Sequence, residues 1–183
     1  MRRLVLQMSM SLDGYVASKS GLDWELPDEH PDVAAWKVAK LRHAGTHIMG
    51  RVTYEEMAAY WPTATGIYAG PMNDVPKVVF STSLTAALWD KTSIARGELA
   101  REVTALKQQP GGEIVAHGGA TFVQALSRSR LIDEYRLVIR PVALGDGLRL
   151  FADLPAPMPL RLIEAHSYPD GTAIHVYEPA HDR

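Results

Sequence analysis

Ile48-Met49-Gly50-Arg51-Val52-Thr53-Tyr54-Glu55 reads as a short buried strand that turns through glycine directly into a helix. Glycine at such a junction lets the backbone come close to a ligand, and the helix that follows offers unpaired N–H groups and the positive end of its dipole. Arg51, placed right after Gly50, adds a planar fork of donors suited to a phosphate. The same eight residues also fit an ordinary strand–helix turn with a solvent-facing arginine.

The pattern occurs a second time. Glu113 to His117 is strand-like, runs into Gly118-Gly119 and continues as a helix from Ala120 to Leu126. An alternating βαβ sheet would place two such turns on the same carboxyl edge. Outward from these two units, residues 3–10 are mostly apolar without glycine or proline and suit a central strand, closed by Ser11-Leu12-Asp13-Gly14. A second short apolar piece, Tyr15-Val16-Ala17, leads into an irregular stretch in which Trp24 and Leu26 either anchor the loop to the core or line a pocket. Residues 31–42 predict a helix with proline in its first turn and Gly45 as its stop, apolar through Val33, Trp36 and Leu41 on one face and basic on the other. Asp32 lies in its first turn, where an acid also has the plain role of compensating the helix dipole.

Further strands are expected at Thr46–Met49, Pro76–Ser81 and Thr92–Ala95, with helices at Arg51–Tyr60 and Leu99–Gln108. The Gly/Pro-rich run from Trp61 to Asp74 shows no periodicity and reads as a mobile surface loop. The C-terminal third changes character. Glu134–Arg140 is strand-like, Pro141–Gly147 a turn-rich crossing, and Leu160–His166 with Ala173–Tyr177 flank Tyr168-Pro169-Asp170-Gly171 as an antiparallel hairpin. The expected fold class is α/β, with a mixed sheet that is parallel first and antiparallel at its end.

Composition removes several classes of function. With 183 residues the size prior is a single domain, taken here as residues 1–179 with a short tail at 180–183. No cysteine means no disulfide, cysteine–zinc site or thiol nucleophile, and fits a reducing cytoplasm. A net charge of -2 gives no electrostatic footprint for nucleic acid or an anionic membrane surface. The two N-terminal arginines precede only three apolar residues, so no export signal or membrane span is expected and the chain reads as a soluble cytoplasmic protein. His43 and His47 are four apart, but Gly45 between them argues against a helical metal pair, and no metal site is expected. Ser9 and Ser11 have no histidine–acid partners at a recognisable spacing.

Taken together, these residues resemble the dihydrofolate reductase fold, a three-layer α/β/α arrangement. Within it they resemble most the branch related to the reductase domain of the bifunctional riboflavin-biosynthesis deaminase-reductase. Met49-Gly50-Arg51 with Thr53 resembles the motif that in this family holds the pyrophosphate and 2′-phosphate of NADPH. Val79-Phe80-Ser81-Thr82-Ser83 is similar to the strand and loop beside that 2′-phosphate. His117-Gly118-Gly119-Ala120-Thr121 resembles the paired-glycine turn under the nicotinamide–pyrophosphate half, and Val16 and Ala17 match the loop that touches the nicotinamide. The resemblance therefore implies NADPH as cofactor. By the same resemblance, Arg51 and the hydroxyls of Ser81 to Ser83 would be the cation and donors that prefer it to NADH.

Trp24-Glu25-Leu26-Pro27 resembles the run that in dihydrofolate reductases precedes the pterin-binding carboxylate, but the spacing to Gly50 differs and leaves Asp28, Glu29 and Asp32 as rivals. Asp32 is the choice, on the ground that it enters the helix on the Trp36 side. A desolvated carboxylate there would be raised in pKa and could deliver a proton, with Trp24 and Trp36 as substrate contacts. The resemblance departs from folate chemistry at Val138, which replaces a hydrogen-bonding threonine, and at Val75-Pro76-Lys77, which lacks the tail-gripping arginine. Pro141 to Gly147 followed by Leu150-Phe151 is similar to the riboflavin-type branch. It implies an NADPH-dependent reductase of a small heterocycle or imine, resembling 5-amino-6-(5-phosphoribosylamino)uracil reductase, and a homodimer with the C-terminal hairpin as its contact. Dihydrofolate reductase activity and a non-catalytic NADP(H)-binding module are the alternatives.

Overall fold

The computed structural model describes residues 1–18 and 29–180. The expectations on Trp24 and Asp28 therefore lie outside the described residues. The chain runs β1 (Leu4–Ser11), β2 (Tyr15–Ala17), α1 (Pro31–Leu41), β3 (Ala44–Gly50), α2 (Arg51–Tyr60), α3 (Ala69–Asp74), β4 (Lys77–Phe80) and β5 (Thr92–Ala95). It continues α4 (Leu99–Gln108), β6 (Glu113–Ala116), α5 (Ala120–Arg128), β7 (Glu134–Arg140), β8 (Leu148–Arg149), β9 (Leu160–Ser167) and β10 (Ala173–Pro179).

An eight-stranded sheet has the order β5-β4-β3-β6-β1-β7-β10-β9. It is parallel from β5 to β7 and antiparallel at β10 and β9. The alternation of side chains in the buried strands divides the core in two. Leu4, Leu6, Ile48, Ile114 and Tyr135 face α4 and α5, where Val103, Val123 and Leu126 meet them. On the opposite face Met49, Val79 and Val115 pack against Leu41 of α1, Tyr54 of α2 and Met72 of α3, while Val33 and Trp36 of α1 sit over Val138, Ile174 and Val176. The fold class is thus the three-layer α/β/α expected, with a mixed, mostly parallel sheet.

Two expectations fail in instructive ways. The segment from Trp61 to Asp74 is an internal element rather than a surface loop: it forms a short 3-10 turn and α3, buries Met72, and packs Trp61 and Tyr68 on the core. Gly45 does not stop α1, which ends at Leu41. It lies inside β3 at an irregularity in the pairing with β6, where an added Cβ would stand 2.6 Å from the Gly112 nitrogen. Backbone-to-backbone approach, not helix termination, is what requires glycine there. The small pairing of β2 with β8 had no signal in the sequence pattern.

Candidate functional site

Because β3 and β6 are adjacent and parallel, the turns Gly50-Arg51 and Gly118-Gly119 emerge side by side on one edge of the sheet. Helices α2 and α5 both start at glycine and have no side-chain cap, whereas α4 is capped by the Glu98 carboxylate and α1 by the His30 ring. Their first N–H groups are left to other partners. Thr53, 8% exposed, ties the turns together by accepting a hydrogen bond from the Gly119 N–H at 2.6 Å. Gly50 has ordinary extended dihedrals; what keeps it glycine is space, since a Cβ there would meet Phe122 Cβ at 3.3 Å.

A cleft of about 410 Å³ opens beside Gly50, lined by Arg51, Phe80, Ser81, Thr82, Ser83 and Phe122 together with Ala95, Gly97 and Leu99. Arg51 and the three hydroxyl residues are thereby brought together, as the resemblance implied. Phe80 and Phe122, 5.2 Å apart between ring centroids, form an apolar wall of this cleft. Arg96 was also missed. Its guanidinium donates to the carbonyls of Thr82 at 3.2 Å and Leu84 at 2.6 Å and so shapes the hydroxyl loop from behind. Its only sequence signal was a cation directly after β5. Ser81 Oγ accepts from the Leu84 N–H at 2.9 Å, holding the loop closed on itself. Arg51 is half-exposed and pairs with Glu55 one turn along, at 2.7 Å.

The remaining cofactor-side residues are placed variously. Ala120 is buried at the start of α5 and Thr121 exposed beside it. Val16 is 1% exposed and belongs to the core, so its side chain is committed to packing, and Ala17 pairs with Leu148. The nearby Asp13 carboxylate accepts from the Ser11 hydroxyl and from the Gly145 and Leu144 N–H groups, which hold its pKa down at about 2 and fasten the crossing after β7 to the β1 turn. His117 does not line the cleft. Its ring lies on the opposite face of the sheet, where Nε2 is 2.8 Å from His47 Nδ1, while His47 Nε2 is 2.9 Å from the Pro71 carbonyl.

On the α1 side, the premise for Asp32 is not met. Its side chain is 78% exposed, 3.9 Å from the His30 ring, and so is not the enclosed carboxylate expected. Helix geometry gives the reason: Val33, Val38 and Leu41 form the buried stripe of α1, and position 32 falls on its solvent flank. Trp36 leans over the sheet edge instead, donating its indole N–H to Glu164 at 2.6 Å. Burial pushes Glu164 up, but hydrogen bonds from Lys40, Trp36 and His166 outweigh it and hold the carboxyl at about 2. Of the two rival carboxylates among the described residues, Glu29 is the enclosed one, 22% exposed, with Lys37 Nζ at 2.9 Å and the Tyr68 hydroxyl donating at 2.6 Å. Burial first, and then Glu29 itself, push the Tyr68 phenol well up. No cluster of three histidine, aspartate or glutamate side chains able to hold a metal occurs among the described residues, and no helix among them is long and apolar enough to cross a membrane.

A mixed sheet with two glycine turns at its carboxyl edge defines a dihydrofolate reductase-like fold. The dihydrofolate reductase of Enterococcus faecalis, solved with NADP(H), superposes with a TM-score of 0.65 at 14% identity, covering 97% of this chain and 96% of that one. Residues 2–176 match the RibD C-terminal domain family, and the chain belongs to that family. The Bacillus subtilis protein YwjB, itself uncharacterized, is 31% identical over 95% of this chain and 97% of its own length. A putative riboflavin biosynthesis protein from Shewanella sp. PV-4 shares 26% identity with a TM-score of 0.81, over 99% of this chain and 100% of that one.

Proposed function

We propose that the chain is an NADPH-dependent oxidoreductase that transfers hydride to a small heterocyclic or imine substrate, with residues 1–179 acting as one riboflavin-type reductase domain. The observation that carries the reading is the cleft beside Gly50, where Arg51 and the hydroxyls of Ser81 to Ser83 line one wall and Phe80 and Phe122 another. This donor set fits the cofactor. A guanidinium and hydroxyls suit the 2′-phosphate, an aromatic wall suits the adenine, and the uncapped starts of α2 and α5 suit the pyrophosphate. When bound, NADPH supplies the hydride. The chain's own part is to hold it across the two turns. Gly118 and Gly119 allow close approach of the backbone, and Thr53 fixes their spacing.

The proton is delivered at the α1 side. Asp32, open to solvent, serves there by orienting water rather than as a desolvated acid, and Glu29 with Tyr68 is the enclosed alternative. Family membership supports a ring related to 5-amino-6-(5-phosphoribosylamino)uracil. Val138, fully buried against Val33 and Ile174, speaks against a hydrogen bond of the folate type at that position. The test is NADPH oxidation across a panel containing that aminouracil, simpler cyclic imines and dihydrofolate. Turnover with an aminouracil or imine at saturating NADPH is expected. Turnover with dihydrofolate alone would assign the chain to folate, and tight NADPH binding without any turnover would make it a cofactor-binding module.

A further inference from the structure

The sheet face under α1 carries two hydrogen-bonding groups that no partner among the described residues uses. β1 and β6 pair in register from Leu4 with Ile114 to Leu6 with Ala116, so Gln7 and His117, the next residues along, stand side by side on the α1 face. Both are 8% exposed. Gln7 Oε1 is fully sheltered and has no hydrogen-bond partner among the described residues. Turning the amide over would leave its nitrogen in the same position, so one polar head is unsatisfied either way. Such a group costs about 1–3 kcal/mol when nothing meets it, and in native proteins it marks a place where a water or a ligand does.

His117 is constrained from behind. The Pro71 carbonyl can only accept, so His47 Nε2 at 2.9 Å carries the proton and donates to it. His47 Nδ1 is then an acceptor, and His117 Nε2 at 2.8 Å must donate to it. His117 is left with a lone pair on Nδ1, in a single tautomer. Burial, His47 and the Lys37 ammonium of α1 all act against a second proton on this ring.

We propose that Gln7 and His117 form the floor of the substrate pocket and read an uncharged ring through a neutral amide–imidazole pair. His117 Nδ1 accepts a ring N–H, and the Gln7 amide meets the neighbouring polar atom. His47 is a positioning residue that fixes His117 as an acceptor. This rests on the reading of the chain as a reductase of a small ring, and it departs from recognition by a buried carboxylate. It also makes His117 unable to supply the proton, leaving that role to the α1 side.

The experiment uses the full chain with 15N-labelled histidine, saturated with NADP+, and uracil as a neutral ring with adjacent N–H and C=O groups. 1,3-Dimethyluracil, which has no N–H, is the control. Without ligand, His117 is expected as the Nε2–H tautomer in wild type and in His47→Asn, whose Oδ1 retains the acceptor, and to lose that preference in His47→Leu. Uracil should shift the His117 Nδ1 resonance and bind about tenfold or more tighter than dimethyluracil. Gln7→Leu and His47→Leu should each erase the difference, while His47→Asn keeps it. An Nδ1–H tautomer, an unmoved resonance, or no advantage of uracil, including no binding at all, overturns the proposal. NADP+ affinity measured in the same samples reads the cofactor assignment separately. It should be unchanged in the Gln7 and His47 variants, and its absence in wild type would sink the reductase reading without touching the tautomer result.

Discussion

Arg51 spends its charge on Glu55 at 2.7 Å in the free protein, and both side chains are nearly half exposed. An exposed pair of this kind is worth little, about 0–1 kcal/mol, so a 2′-phosphate can displace it. Glu55→Gln should therefore leave folding stability nearly unchanged and tighten NADPH binding by a few-fold in a fluorescence titration; weaker binding would mean that the pair orients Arg51 rather than competing for it. His47 makes a second prediction. Burial first, with Lys77 adding to it against the Pro71 hydrogen bond, holds its pKa down at about 4. A folded pKa below the unfolded value of about 6.5 means a contribution to stability that is present above pH 6.5 and lost as pH falls toward 4. His117, also held well below its ordinary value, acts in the same direction. Urea midpoints should fall across that window, and a double His47→Asn, His117→Asn variant should show a flatter profile. At this scale the sharing of one cleft by Arg51 and Ser81 to Ser83 was legible in the sequence, because contiguous motifs carry them. The histidine pair was not, since its members are 70 residues apart and meet only through the β3–β6 pairing. The burial of Asp32 was misjudged because an i, i+4 relation to Trp36 fixes a stripe on a helix but not how far that stripe turns from solvent.

The elements were easier to read than their packing. Helices α2 and α4 and strands β5 and β7 fall where periodicity and glycine or proline punctuation put them. The run from Trp61 to Asp74 escaped because its contacts are tertiary: the Pro71 carbonyl holds His47, and the Asn73 carbonyl accepts from Lys77 at 2.7 Å. Lys77 is 1% exposed, also donates to the Asp90 carbonyl at 3.1 Å, and lies 4.5 Å from the Trp89 ring. Lys77→Met keeps the volume but leaves two carbonyls without a donor, and is expected to cost about 2–4 kcal/mol by chemical denaturation. A loss below 1 kcal/mol would show that water replaces the ammonium. The β2–β8 pair depends on Gly147, which has φ of 132° and whose Cβ would fall 2.1 Å from the Ala17 carbonyl oxygen. Gly147→Ala should lower stability by more than about 1 kcal/mol and, by pulling β2 from the core, weaken cofactor binding as well.

At the scale of the whole molecule, topology does the functional work. Crossover connections put β3, β6 and β1 side by side, so that two glycine turns, a hydroxyl loop and the α1 face converge on one edge. That convergence was foreseeable from repeated strand–glycine–helix units; which carboxylate approaches the pocket was not. The far edge of the sheet is β9, where Leu162 and Ile163, at an irregularity in the pairing with β10, are 48% and 40% exposed. We propose this edge as the contact of a homodimer. Sedimentation at micromolar concentration should give twice the chain mass, and Leu162→Glu with Ile163→Glu should give a monomer; a monomeric wild type would refute the contact.

The central claim is that the cleft between Arg51 and Ser81 to Ser83 receives the 2′-phosphate of NADPH. Calorimetric titration of wild type and Arg51→Ala with NADPH and with NADH tests it most directly. A charge-assisted bidentate pair is worth about 1.5–3 kcal/mol, so wild type should prefer NADPH by about one to two decades, and the preference should collapse in the variant while NADH binding holds. Equal affinities for the two cofactors in wild type, or an undiminished NADPH preference in Arg51→Ala, would contradict the account.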